Sequence, residues 1–368
     1  MKRGAKLRLY FIVAFILLTT IGVFGQSYNY TLQANYTKGF IYPHSPDVAN
    51  LVIDHPEGFA LYLDKKSYGS EYWQQRYNYP DVGYALIYLD YKNPKIGKSI
   101  ASMVYYNFYI GKNHLNRGDL KFKLGFGASF NTNPYQKEKN NKNNFIGTPL
   151  TYGMQLGLYY DYLIAKNIAA NAGINVTHFS NASAKKPNKG INVANASIGI
   201  SYRLTDHKIE YNANNTFENS KKIRYNLVLN GGVNSTFYSG TSPLPFVVVS
   251  AYAEKRFGYK SAINLGVDGF VNQSLKESLK YDPEVRDLEN KPDYKRIGVA
   301  VGHELYVSKL SILTQFGVYV YRPYKKFYPI YQRYAMKYYF NDRLFATFAL
   351  KTHYAIAETA EWGIGVKL

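Results

Sequence analysis

Residues 168–204 read IAANAGINVTHFSNASAKKPNKGINVANASIGISYRL, and the spacing of their apolar positions decides the fold class. Ile168, Ala170, Ala172, Ile174 and Val176 alternate with Ala169, Asn171, Gly173, Asn175 and Thr177, the period-2 pattern of a strand with one apolar face. His178 and Ser180 continue that apolar face. Beyond the loop, Ala194, Ala196, Ile198, Ile200, Tyr202 and Leu204 alternate with Val193, Asn195, Ser197, Gly199, Ser201 and Arg203, and Asn192 shares their apolar face. An antiparallel hairpin closed by Asn181 to Gly190 brings His178, Ser180 and Asn192 together at its mouth: a base, a nucleophile and an orienter. The bland alternative is a chance His-x-Ser pair on a strand. Against it, three polar groups interrupt an apolar face at one level, where nothing structural requires them.

The same two-faced alternation recurs outward in both directions. Leu120, Phe122, Leu124, Phe126, Ala128 and Phe130 alternate with Lys121, Lys123, Gly125, Gly127 and Ser129, and Met154, Leu156, Leu158, Tyr160 and Tyr162 with Gln155, Gly157, Tyr159 and Asp161. Before them, Tyr28 to Lys38, Gly58 to Lys66, Val82 to Tyr91 and Ser99 to Lys112 read as strands, and Asn131 to Thr148 reads as a long polar loop. Past the polar segment Thr205 to Lys222 the pattern resumes from Ile223, through Pro245 to Phe257, Ser261 to Val271, Arg296 to Tyr306, Leu310 to Tyr321, Tyr331 to Phe340 and Leu344 to His353. It ends with Trp362, Ile364, Val366 and Leu368 against Gly363, Gly365 and Lys367. Segments of this length, many of them, with 39 Tyr among 368 residues, fit an all-β protein in which short turns alternate with long loops. No segment after the N-terminus has the apolar length of a spanning helix, so a membrane-spanning chain of this kind must be an antiparallel transmembrane β-barrel. The count is about 16 strands, or 14 if the weakest alternations fail. One large barrel over residues 26–368 is the expectation, and two eight-stranded barrels joined by 205–222 are the alternative.

Lys2, Arg3, Lys6 and Arg8 precede an apolar run from Leu9 to Phe24, and Val23-Phe24-Gly25 offers a cleavage site, so residues 1–25 read as a signal peptide. Cysteine is absent, so stability cannot come from disulfides. A net charge of +20 raises nucleic acid as a partner, but no nucleic-acid motif accompanies it, and basic rims of an exported barrel suit anionic lipid phosphates instead. His44, His55, His114, His207, His303 and His353 show no metal-ligand spacing, so neither metal nor another cofactor is expected. His353 shares the face of Lys351, the interior side.

His178-Phe179-Ser180-Asn181, followed by Pro187-Asn188 and Gly190, resembles the signature of the PagL-type lipid A deacylases, outer-membrane esterases related to the acyloxyacyl hydrolase group. The resemblance runs to about Leu204. It implies a serine esterase of the bacterial outer membrane that removes an ester-linked acyl chain from lipid A of lipopolysaccharide. In that chemistry Ser180 attacks the ester carbonyl, His178 takes and returns the proton, and Asn181 and Asn188, with the backbone around Gly190, are candidate oxyanion donors. The resemblance departs at Asn192, where the family carries a glutamate; a neutral amide can still fix the imidazole, but it stabilises the imidazolium less. Two other classes of function fit the same strands: a passive pore or lipid transporter, and a barrel that binds lipopolysaccharide without turnover.

Overall fold

Alternating strands leave backbone N–H and C=O groups along both edges, and a sheet removes its edges only by closing on itself. The computed structural model shows two such closures. It describes residues 30–43, 45–111, 117–204, 211–213, 222–238, 241–354 and 356–368; the expected signal peptide 1–25, most of 205–222, and His44, His114 and His207 lie outside the described residues. The first barrel comprises β1 (Tyr30–Ile41), β2 (Glu57–Lys65), β3 (Asp81–Asp90), β4 (Lys98–Ile110), β5 (Gly118–Asn131), β6 (Leu150–Ala165), β7 (Ile168–Ser180) and β8 (Ile191–Arg203). It closes where β1 pairs with β8, from Thr31 opposite Arg203 to Ile41 opposite Val193. The second comprises β9 (Ile223–Asn234), β10 (Leu244–Arg256), β11 (Ser261–Asn272), β12 (Arg296–Val307), β13 (Leu310–Tyr321), β14 (Ile330–Tyr339), β15 (Leu344–His353) and β16 (Ile356–Lys367). There β16 returns to β9, from Trp362 opposite Gly231 to Lys367 opposite Asn226.

The 16 strands are as expected in number, but the single large barrel is overturned. The edge of β8 that a continuous barrel would offer to β9 is taken by β1. Eight strands enclose a lumen that side chains can fill, and both lumens are filled. In the first, Asn35 Nδ2 donates to Asn171 Oδ1 at 2.7 Å and to Ser197 Oγ at 2.9 Å. Lys121 pairs with Asp161 at 2.5 Å, and Lys123 lies 3.3 Å from the centre of the Tyr62 ring. In the second, Arg333 pairs with Asp268 at 2.8 Å, Lys337 with Glu304 at 2.9 Å and Arg296 with Glu358 at 3.2 Å. Buried pairs of this kind add little net stability, yet removing one partner costs roughly 3–5 kcal/mol because a lone buried charge remains.

The outer faces have the opposite character. Leu32, Phe59, Leu61, Ile100, Val104, Ile174 and Ile198 on the first barrel, and Leu229, Val249, Leu265, Val301, Phe316 and Ile364 on the second, are exposed. Polar side chains fill the inside and apolar ones cover the outside, the reverse of a water-soluble domain.

The barrels stand side by side and point the same way. At the strand level Phe126 and Tyr152 of the first meet Phe348 and Trp362 of the second, with ring centres 4.9 Å apart for Tyr152 and Phe348. At one end Tyr77 donates to the Tyr306 carbonyl at 2.6 Å. At the other, loop 181–190 of the first barrel meets Ser235, Phe237 and the start of β16, and on its other side bonds to loop 132–149. Loop 132–149 is less of a surface loop than its polar composition suggests. Phe145 and Ile146 are fully buried, because Asn143 Oδ1 accepts from the Phe145 N–H at 3.0 Å and folds the chain inward.

Candidate active site

The site lies where β7 runs out into its loop and β8 begins. Strand parity sends Thr177 and Phe179 into the barrel, and leaves His178 and Ser180 on the outer face, in line with the exposed Ile174 and Val176. Register then puts Asn192 of β8 directly opposite His178, and Met154 and Tyr152 of β6 opposite His178 and Ser180. The cross-strand pair is joined: His178 Nδ1 donates to Asn192 Oδ1 at 2.6 Å. With the amide oxygen as acceptor, Nδ1 carries the ring proton, and Nε2 keeps its lone pair as a base.

Ser180 Oγ is held from the other side. It accepts from Asn188 Nδ2 at 2.8 Å and from the Ala182 backbone N–H at 3.0 Å. Asn188 Oδ1 in turn accepts from the Asn181 N–H at 3.2 Å, which fixes the amide's orientation. Two donors therefore converge on the Ser180 oxygen itself.

The three other expected donors fall differently. Asn181 is buried, and its Nδ2 donates to the Lys185 carbonyl at 2.8 Å and to Thr148 Oγ1 at 3.3 Å, so its amide ties the loop to β6's approach instead of facing Ser180. The Gly190 N–H is engaged by the Phe145 carbonyl at 2.9 Å, and the Lys189 N–H by the Asn144 carbonyl at 2.9 Å. Those backbone groups bind loop 132–149 and do not point at the serine. Gly190 serves by its lack of a side chain. Its φ is +76°, and a Cβ there would lie 2.7 Å from His178 Cε1, so any other residue would strain the backbone and press on the imidazole. Ala182 carries no sequence signal for its part. It contributes a backbone N–H, and the chain then turns through a left-handed φ of 50° at Ala182 and 67° at Ser183, an uncommon conformation for residues with a Cβ.

The loop is strongly basic. Lys189 pairs with Asp47 at 2.8 Å, and the hydrogen bond from Lys189 holds the Asp47 carboxyl below its usual range. Lys186 lies 4.7 Å from the centre of the Phe237 ring; burial, with Lys189 nearby, lowers its ammonium pKa. His353 is fully buried inside the second barrel, stacked on Phe327 with centres 4.3 Å apart, on the interior side as its parity indicated.

Comparison with known proteins bears on both barrels. Residues 57–201 match the family model for lipid A 3-O-deacylase (PagL), and residues 223–368 match that for the acyloxyacyl hydrolase C-terminal domain. No curated protein matches the chain. Among solved structures, the outer membrane enzyme PagL is 17% identical, covering 45% of this chain and 97% of its own at a TM-score of 0.30. Neisserial surface protein A is 11% identical, covering 47% of this chain and 96% of its own, also at 0.30. The Acinetobacter baumannii outer membrane protein Omp33 is 9% identical over 93% of this chain and 99% of its own, at 0.18. With one family model on each barrel, the chain belongs to the PagL-type lipid A deacylase and acyloxyacyl hydrolase family.

Proposed function

We propose that this protein is an outer-membrane serine esterase that removes an ester-linked acyl chain from lipid A. The observation that carries this is the His178–Asn192 pair at 2.6 Å, set on the apolar outer face beside a serine whose oxygen already accepts two hydrogen bonds. Apolar outer walls and polar, filled interiors suit a barrel in lipid. The site lies at the end where loops 132–149 and 181–190 meet, which in a barrel with long outward loops faces the lipopolysaccharide leaflet.

In the reaction, Ser180 Oγ attacks the ester carbonyl carbon as its proton passes to His178 Nε2. The carbonyl electron pair moves onto oxygen, where Asn188 Nδ2 and the Ala182 N–H stabilise it. The tetrahedral adduct collapses, the C–O bond to the sugar breaks, and the imidazolium returns the proton to the leaving hydroxyl. Water, deprotonated by the same imidazole, then releases the fatty acid from Ser180. Asn192 keeps the ring in the productive tautomer, as the asparagine of Cys-His-Asn proteases does. An acyl chain can lie along Ile174, Val176 and Met154 without leaving the bilayer. The pore alternative is disfavoured by lumens crowded with paired side chains.

Fatty acid release from purified lipid A in detergent tests this. Ser180→Ala and His178→Ala should each lower turnover by roughly a thousandfold or more while the barrels still fold. Wild-type turnover in Ser180→Ala would overturn the assignment.

A further inference from the structure

The loop that carries Ser180's donors is held in two halves by two different barrels. Its second half is bound to the first barrel: Lys189 and Gly190 donate to the Asn144 and Phe145 carbonyls, and Lys189 pairs with Asp47. Ser183 and Ala184, in its first half, are bound to the second. Ser183 Oγ donates to the Ala357 carbonyl at 2.8 Å, the buried Ser235 donates from its N–H to the Ser183 carbonyl at 3.1 Å, and Ser235 Oγ donates to the Ala184 carbonyl at 3.2 Å. Lys186 adds its contact with the Phe237 ring.

Two of these three hydrogen bonds fall on Ser183, in the strained part of the loop, and the third on the residue after it. Ala182 and Ser183 are both left-handed, a state that residues with a Cβ keep only when their surroundings impose it. Ala182, the first of the two, is the residue whose N–H reaches Ser180 Oγ. The second barrel is itself fixed against the first one step away from the nucleophile. Tyr152, opposite Ser180 on β6, accepts from Trp362 Nε1 at 2.9 Å, and the Phe348 and Trp362 rings pack together at 4.5 Å.

We propose that the second barrel is a positioning part of the site. Through Ser235 and the Ala357 carbonyl it clamps Ala182 and Ser183 in the left-handed state and so aims one oxyanion donor. Ser183 and Ser235 are positioning residues, and their role rests on the esterase reading of Ser180.

The test uses full-length protein in detergent micelles with purified lipid A as substrate, comparing wild type, Ser183→Ala with Ser235→Ala, and Ser180→Ala. Losing alignment of one donor should lower kcat of the double variant by about ten- to a hundredfold, less than outright removal of such a donor, with KM within about twofold. Amide exchange across 181–184 should quicken in the double variant, with the gel shift on heating unchanged. A double variant with wild-type kcat, when Ser180→Ala is inactive, overturns the clamp. If Ser180→Ala is as active as wild type, the esterase reading fails, and the clamp stands or falls on amide exchange alone: unchanged exchange across 181–184 overturns it.

Discussion

Asn192 faces His178 across the hairpin, and its 2.6 Å bond to Nδ1 gives it a task that substitution can separate from folding. Asn192→Ala should lower turnover by roughly 10- to 1,000-fold, since the ring loses its orienter while Ser180, Asn188 and the Ala182 N–H remain. Asn192→Glu should keep or raise the plateau rate. A carboxylate beside the ring favours imidazolium, so the pKa of His178 rises; because the base must be neutral, the acidic limb of kcat/KM should move to higher pH. A rate–pH profile of Asn192→Ala that overlays wild type would make Asn192 a bystander. His178, Ser180 and Asn192 were legible because strand parity puts them on one face and the hairpin puts them at one level. Asn188 was legible only through the motif. The Ala182 N–H was not legible at all, since any residue type supplies one and its aim depends on backbone angles that another part of the chain enforces.

Among the elements, strands were the most legible and caps the least. Alternation located nearly every strand to within a few residues, because each has one face in a polar lumen and one on an apolar exterior. The start of β16 escaped it: a register shift between Lys351 and Thr352 lets Glu358, Thr359 and Glu361 all be buried, so Ile356 to Glu361 does not alternate cleanly. The cap of the second barrel escaped as well. The helix Gln273–Ser278 and the chain after it are rich in charge and carry no strand alternation, yet Leu275, Leu279 and Tyr324 are buried together over the barrel's end. Asp282 holds this cap, accepting from Tyr324 at 2.6 Å and from Lys326 at 2.9 Å. Burial alone pushes its carboxyl up, but those hydrogen bonds outweigh it and leave the pKa below the ordinary aspartate value. A depressed folded pKa means that its stabilisation is present above the unfolded value of about 3.9 and is lost as pH falls through the lower folded value. Amide exchange over 279–288 should therefore stay slow from neutral pH down to about 4 and quicken below it, and Asp282→Asn should be fast already at pH 7. Equal exchange in Asp282→Asn and wild type at neutral pH would remove Asp282 from the cap's support.

At the scale of the whole molecule, two closed barrels stand where the sequence reading expected one large ring. Periodicity reports which face a residue takes but not which strand lies beside it, so 16 alternating segments are compatible with one ring or two. The signals that favour two are the bulky charged and aromatic residues at inward positions, such as Lys123, Tyr159, Arg333 and Lys337, which fill an eight-stranded lumen and would stand in water in a larger one. A cross-strand disulfide separates the cases. Tyr36 and Ile198 face each other on β1 and β8, and the chain has no cysteine to compete. Tyr36→Cys with Ile198→Cys should oxidise within one chain and change its mobility on a non-reducing gel, because antiparallel partners lie within disulfide reach. In a single ring of sixteen these strands are not neighbours, and no such bond would form. The central claim, that Ser180 on this lipid-facing wall deacylates lipid A, is tested most directly by mass spectrometry of lipid A from cells producing wild type or Ser180→Ala at equal levels in the outer membrane. Wild-type cells should show a species lighter by one ester-linked acyl chain that Ser180→Ala cells lack; the same lipid A profile in both would contradict it.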